Sequence, residues 1–376
     1  MATNNMIISI VTNIAPPYRV KVWNALSLNY PTSLRCIFLA HNEANRDWNI
    51  DKESFEFKYD TLPGVAIKIN SKFIHLNLGI ISSLKRAKSD VIITTGYNPA
   101  QILAAMYALI NGIPHIAMTD GTIESENNLS PIHRAIRKFL FKHTKAFIGA
   151  SNGSIRLFKK YGINETAIFK SHLCANNELF RKTLKNSTQG NRRYDLIFSG
   201  RFDPIKNPLF AIDVGYRTSI ILNRKISLLC IGSGQLLSEM QSKANQYKQH
   251  LHVDFAGFLQ QESLPHAYAS AKILLFPTAW DPWGIVANEA CAAGTPTITT
   301  PMAGCSNEII IDAQNGYILP LDEKVWSEHC AKLLIDNHLW ESFSRASLTA
   351  VKEYTYENAA KGIYDAACSA LGNRNV

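Results

Sequence analysis

The sequence predicts an α/β protein built as two doubly wound domains, each a parallel sheet covered by helices. Three observations carry this expectation. Short apolar runs alternate with segments of helical period along most of the chain. The alternation breaks once, at the polar, glycine-containing stretch Asn186–Arg193, and then restarts. A chain of 376 residues is also too long for one core, since single cores stop growing at roughly 250–300 residues. The domains are expected at 1–185 and 186–356, with a C-terminal helix near 357–371 packing back on the first.

In the first half, apolar runs place strands at Ile7–Thr12, Ser33–Ala40, Val91–Thr95, Ile113–Met118 and Ala146–Gly149. Helix-period segments fall between them at Arg19–Tyr30, Ile80–Ala87, Ala100–Ile110 and Pro131–Phe141. Beyond the linker, strands are expected at Leu196–Ser199, Ser227–Ile231, Val253–Ala256, Ile273–Pro277 and Thr297–Thr300. The helices there are Pro208–Thr218, Gln235–Tyr247, Leu264–Ser270, Ile285–Ala293 and Val325–Asp336. Open sheets of this kind bind ligands beyond the carboxyl ends of their strands, so the cleft between the domains is the expected site.

Composition narrows the class. Hydrophobic content of 46% with 18% charged residues fits a globular protein and not a disordered one. The longest apolar stretch, Ile102–Met118, is broken by Asn111-Gly112 and Pro114-His115, so no transmembrane helix is expected. No basic segment with a small-residue cleavage site opens the sequence, so no signal peptide is expected. Cys36, Cys174, Cys230, Cys291, Cys305, Cys330 and Cys368 are odd in number and form no Cys-x-x-Cys pair. That pattern argues against a disulfide framework and a structural zinc site and favours the reducing cytoplasm. The net charge of +9 is uneven: residues 1–180 hold 20 Lys and Arg against 12 Asp and Glu, the remainder 19 against 18. The first half should therefore face an anionic partner.

The chemistry gathers in the second half. Ile273–Pro277 reads as a buried strand, Thr278–Gly284 as a loop, and Ile285–Ala293 as a helix stopped by Gly294 and Pro296. A helix N-terminus offers unpaired N–H groups and positive potential, so this turn suits a phosphate without a metal. Asp281 before the helix and Glu289 within it can grip hydroxyls on two parts of one extended ligand.

Residues 279–296, Ala-Trp-Asp-Pro-Trp-Gly-Ile-Val-Ala-Asn-Glu-Ala-Cys-Ala-Ala-Gly-Thr-Pro, resemble the acidic-x7-Glu signature of family 4 retaining glycosyltransferases of the GT-B fold. Gly304–Ile310 and Asn315-Gly316-Tyr317 are similar to that family's continuation, and Ser199–Asn207 resembles its basic diphosphate motif. Gly232-Ser233-Gly234 and Phe255–Phe258 follow two further landmarks in order. Singly these are ordinary features; their joint order and spacing carry the resemblance, which spans about 196–360. It implies a GT-B fold of two Rossmann-like domains facing each other across a cleft, and sugar transfer with retained anomeric configuration. It further implies that Glu289 holds the donor's ribose and Asp281 its sugar, with Arg201 and Lys206 neutralising the diphosphate. Gly200, Gly232, Gly234, Pro282, Trp283, Gly284 and Ile285 would line that donor site, and Phe258 and Leu259 would meet the nucleobase. No metal and no cofactor are expected, there being no Asp-x-Asp in the chain.

Two departures mark the acceptor side. Where many relatives have a glycine-rich loop after the first strand, this chain reads Asn13-Ile14-Ala15-Pro16-Pro17-Tyr18-Arg19. Tyr18 and Arg19 are candidates to touch the acceptor; the alternative is a packed Tyr and an exposed Arg. Where relatives often carry a His, this chain has Thr119-Asp120-Gly121-Thr122-Ile123-Glu124, while His115 lies within the strand as a core residue. Asp120 becomes the candidate catalytic carboxylate, an Asx-turn being the alternative, and Glu124 is its alternate. The basic segment 133–145, with Ile136, Phe139, Leu140 and Phe141 among its charges, suits either an anionic membrane or a sheet-covering role.

Together these imply transfer from a UDP- or GDP-type nucleotide sugar to a glycan acceptor, lipid-linked, for surface polysaccharide: O-antigen, capsule or exopolysaccharide. The expected location is cytoplasmic, peripheral on the membrane's inner face. A nucleotide-sugar 2-epimerase on the same fold is the alternative enzyme. A basic nucleic-acid-binding protein is the other, although helix-turn-helix and RRM signatures are missing.

Overall fold

The computed structural model describes residues 5–43, 51–69, 72–126, 129–186 and 192–372. It divides into two units: Met1–Leu173 with Tyr356–Val376, and Cys174–Thr355. In the first, β1 (Met6–Thr12) leads through Pro16 and Pro17 into α1 (Pro17–Asn29), followed by β2 (Thr32–Phe38) and β3 (Lys58–Thr61). A hairpin of β4 (Val65–Ile69) and β5 (Lys72–Leu76) stands outside the main sheet. Then come α2 (Ile80–Ala87), β6 (Val91–Thr94), α3 (Pro99–Ile110), β7 (His115–Thr119), α4 (Pro131–His143), β8 (Ala146–Gly149), α5 (Asn152–Lys160) and β9 (Ile168–Lys170). The seven-stranded sheet is parallel throughout, in the order β3-β2-β1-β6-β7-β8-β9. Val11, Ile37 and Ile92 face Leu84 of α2 and Ala100, Ala104 and Ala108 of α3 in one core.

The second unit opens with α6 (Asn177–Asn186) and continues as β10 (Tyr194–Ser199), α7 (Pro208–Leu222), β11 (Ile226–Ile231), α8 (Leu237–Gln246) and β12 (Leu251–Gly257). It is completed by α9 (Leu264–Ala269), β13 (Ala271–Phe276), α10 (Ile285–Ala292), β14 (Thr297–Thr299), β15 (Gly316–Ile318), α11 (Glu323–Ile335) and α12 (Asn337–Ala350). Its six strands are parallel in the order β12-β11-β10-β13-β14-β15. Strand alternation sorts the side chains into two cores. Leu196, Phe198, Leu228, Cys230, Ile273 and Leu275 pack on one face with Ala211 and Trp326. Ile197, Leu229, Leu274 and Phe276 pack on the other with Tyr268, Ala287 and Ala290.

The boundary departs from the 185/186 read in the sequence. Phe180 of α6 is buried in the second unit's core, its ring 6.0 Å from that of Tyr268 on α9, so the chain changes unit at 173/174. The polar stretch behind the expected linker lies beyond that helix, and residues 187–191 are outside the described residues. The last helix, α13 (Tyr356–Ala370), packs on α1, β8 and β9 of the first unit, with Tyr364 stacked on Tyr30 at 4.5 Å.

Candidate active site

In the second sheet the chain order reverses between β10 and β13, and the loops leaving these adjacent strands carry the charged residues. After β10, Asp203 caps a single 3-10 turn, Pro204–Lys206, by accepting the Lys206 N–H at 3.1 Å. That turn is tied to the loop after β13. Ala279 N–H and the Thr278 hydroxyl donate to the Ile205 carbonyl at 2.8 and 3.1 Å, and Asn207 Nδ2 donates to the Pro277 carbonyl at 2.9 Å. Lys206 Nζ thereby reaches Asp281 Oδ2 at 2.5 Å, with the two side chains 13% and 18% exposed. Asp281 Oδ1 accepts the Trp283 N–H at 2.9 Å, so both carboxylate oxygens are fixed. Gly232 explains how closely the loops pack: a Cβ there would lie 1.9 Å from the Gly200 carbonyl oxygen. Gly234 follows it, and Ser233 accepts the Phe202 N–H at 2.7 Å.

α10 starts at Gly284, whose φ of +94° and contact with the Phe276 ring (a Cβ would come within 2.4 Å) admit only glycine. No side chain caps this helix, which leaves first-turn N–H groups available to an anion. Glu289, one turn further, is buried and accepts the Tyr268 hydroxyl at 2.7 Å through Oε2. Burial pushes its carboxyl up to about 7, against which the Tyr268 hydrogen bond works. Arg201 is half exposed and pairs with Asp203 at 3.2 Å. Pro282 and Ile285 are half-buried; Phe258 is exposed, while Leu259 packs against the core. Trp283 needs correction as a ligand-lining side chain. Its indole is fully buried, donates to Asn288 Oδ1 at 2.6 Å and lies 5.5 Å from the Tyr354 ring, which leaves its backbone as the part that could meet a ligand.

The first unit brings Arg19 and Asp120 together. Arg19 Nη2 donates to Asp120 Oδ1 at 2.6 Å, and Nη1 donates to the Ser171 carbonyl and hydroxyl at 2.9 and 3.3 Å. Arg19 is buried, which corrects both the acceptor-touching and the exposed readings of it. Tyr18 is half-buried. Glu124 opens a 3-10 turn, and the neighbouring Thr122 side chain holds its carboxyl below the usual range. His115 is a satisfied core residue: its ring nitrogens meet Thr94 Oγ1 at 3.0 Å and Thr144 Oγ1 at 2.8 Å, and burial lowers its pKa to about 4. On α4, Leu140 and Phe141 are buried while Ile132 and Phe139 are 70% and 46% exposed. Arg134, Lys138, Lys160, Ala135 and Tyr161 line a cavity of about 380 Å³ with Glu126. Arg137 and the Tyr161 hydroxyl engage the Glu126 carboxylate, so the three remaining side-chain charges there are positive.

Sequence reasoning missed Tyr268 and Ser171, the partners that fix Glu289 and Arg19. Neither belongs to a spaced motif; each is found only once β13 and β9 are laid beside their neighbours.

Residues 180–349 match the family described as Glycosyl transferases group 1. An uncharacterized glycosyltransferase of Methanocaldococcus jannaschii, MJ1607, is 29% identical over 147 residues, 39% of this chain and 34% of that protein. O-antigen chain mannosyltransferase B of Escherichia coli is 28% identical over 112 residues, 28% of this chain and 27% of that protein. The chain thus spans about a third or less of the length of these curated relatives. Among solved structures, Anabaena Alr3699/HepE in complex with UDP-glucose superposes with a TM-score of 0.74 at 14% identity, covering 97% of this chain and 100% of that one. The fold is that of GT-B glycosyltransferases, two Rossmann-like α/β domains.

Proposed function

We propose that the protein is a retaining glycosyltransferase that moves a sugar from a nucleotide-diphosphate sugar to a hydroxyl of a glycan acceptor. The observation that carries this reading is the Lys206–Asp281 pair set beside the uncapped start of α10, with Glu289 one turn beyond. A cation, open N–H groups and two carboxylates in that order suit a diphosphate flanked by hydroxylated sugars. Transfer breaks the bond between the anomeric carbon and the β-phosphate oxygen and forms one to the acceptor oxygen. The acceptor proton passes to the departing phosphate on the same face. Lys206, Arg201 and the α10 N–H groups would stabilise charge growing on the leaving diphosphate, commonly the largest catalytic contribution. Asp120 would supply the carboxylate that orients the acceptor or offsets positive charge at the reacting carbon. The UDP-glucose bound by the Anabaena neighbour favours a UDP-type donor. The E. coli relative's name supports surface polysaccharide as the destination. The basic cavity and exposed Ile132 and Phe139 of α4 suit an acceptor carried on an anionic membrane.

Thermal unfolding across UDP, GDP, ADP and CMP sugars tests the donor. A sugar nucleotide at 100 times its Kd adds about 2.7 kcal/mol of stability. Protection by one of them, abolished in Glu289→Ala, is the expected result; protection that survives the substitution removes Glu289 from the site. Incubation with donor alone separates the readings further, since an isomerised nucleotide sugar would mark an epimerase.

A further inference from the structure

We propose that Arg19 is a positioning residue that holds Asp120 in its working orientation; this rests on the reading of Asp120 given above. Pro16 and Pro17 stiffen the start of α1, and the Pro16 carbonyl accepts the N–H groups of Arg19 at 2.9 Å and Val20 at 3.0 Å. The Arg19 side chain therefore leaves a fixed point in the first helical turn. This is a poor place for a cation, because the helix dipole is positive at that end. Burial adds to the cost: the Arg19 side chain is 5% exposed, and a guanidinium removed from water needs its donors satisfied. Both penalties fall on one residue, as expected where position outweighs stability.

The pair is asymmetric. Arg19 is anchored at its inner end by the Ser171 carbonyl and hydroxyl just past β9, whereas the Asp120 side chain is 41% exposed. One Asp120 oxygen, Oδ1, is taken by Nη2 at 2.6 Å. A carboxylate in an open loop samples several rotamers, and this contact selects one while leaving the group open to solvent. The planar guanidinium spans Ser171 and Asp120 together; an ammonium cannot offer donors in that fork. The Pro-Pro-Tyr-Arg segment thus makes a rigid bracket for the Asp120 carboxylate.

A double-mutant cycle on the full chain tests this, using whichever nucleotide sugar gives the largest thermal protection and following nucleoside diphosphate release. Asp120→Asn and Arg19→Gln are each expected to lower kcat by roughly 10²-fold, with KM for the donor little changed. In the Asp120→Asn background, Arg19→Gln should lower kcat no further, because Arg19 acts only through Asp120. Arg19→Lys restores charge without the fork and should stay within about threefold of Arg19→Gln; it also serves if the glutamine variant fails to fold. Equal losses from Arg19→Gln in both backgrounds, or full activity in Arg19→Lys or Asp120→Asn, overturn the inference. Absence of protection by any nucleotide sugar overturns the proposed function and this inference with it. Protection without the expected coupling overturns the inference alone.

Discussion

Glu289 shows how one buried carboxyl ties stability to pH. Its carboxyl is raised to about 7 in the folded protein from an ordinary 4.5, so the native state holds a proton that the unfolded chain releases. Stability from this group is therefore fullest below about 4.5 and declines as pH rises through that window, levelling off above about 7. The unfolding free energy of the wild type minus that of Glu289→Gln should fall as pH is raised from about 5 to 8; a flat difference would contradict the assignment. If Glu289 holds the donor's ribose, the same substitution removes charge-assisted hydrogen bonds worth about 1.5–3 kcal/mol, and donor Kd should weaken about 10- to 100-fold. Lys206→Met acts elsewhere. If Lys206 stabilises the leaving diphosphate, kcat should drop roughly 10²- to 10³-fold while donor binding weakens less, as single-turnover measurements would resolve.

At the scale of elements, the start of α10 is a tightly constrained turn in the second unit. Gly284→Ala must place a methyl at a φ of +94° and against the Phe276 ring. It should cost about 1–3 kcal/mol in denaturant unfolding and also weaken donor protection. Gly257→Ala, at a φ of +68° with open space around it, should cost less. The α10 unit was legible in the sequence because Ile273–Phe276 of β13 is an unbroken apolar run and Gly294 and Pro296 stop the helix plainly. β3, Lys-Tyr-Asp-Thr at the sheet edge, carries no apolar period, and β15 is only three residues long. α6 runs into the stretch read as a linker, its sequence is mostly polar, and Phe180 gains meaning only against Tyr268. The same difference runs through the site. Asp281 and Glu289 are separated along one chain segment and are read by spacing. Arg19, Asp120 and Ser171 lie on three segments, the outer two 152 residues apart, and only the parallel sheet brings them together.

For the whole molecule, the excess positive charge lies in residues 1–180, and α4 combines Arg134, Lys138 and Lys142 with exposed Ile132 and Phe139. Among the described residues no helix is long and apolar enough to cross a membrane, so attachment of the proposed kind would be peripheral. The protein should pellet with vesicles containing anionic lipid at low salt and be released as ionic strength shortens the Debye length to about 8 Å. Ile132→Ser with Phe139→Ser should weaken pelleting at every salt concentration; pelleting indifferent to both salt and substitution would remove the membrane from the proposal. The chain's route between its units carries a different consequence. Because α13 completes the first unit after the whole of the second has been made, α1, β8 and β9 must wait on the ribosome for their last neighbour. The segment translated in the middle is then free to reach its final structure first, reversing the N-terminal-first order usual in synthesis.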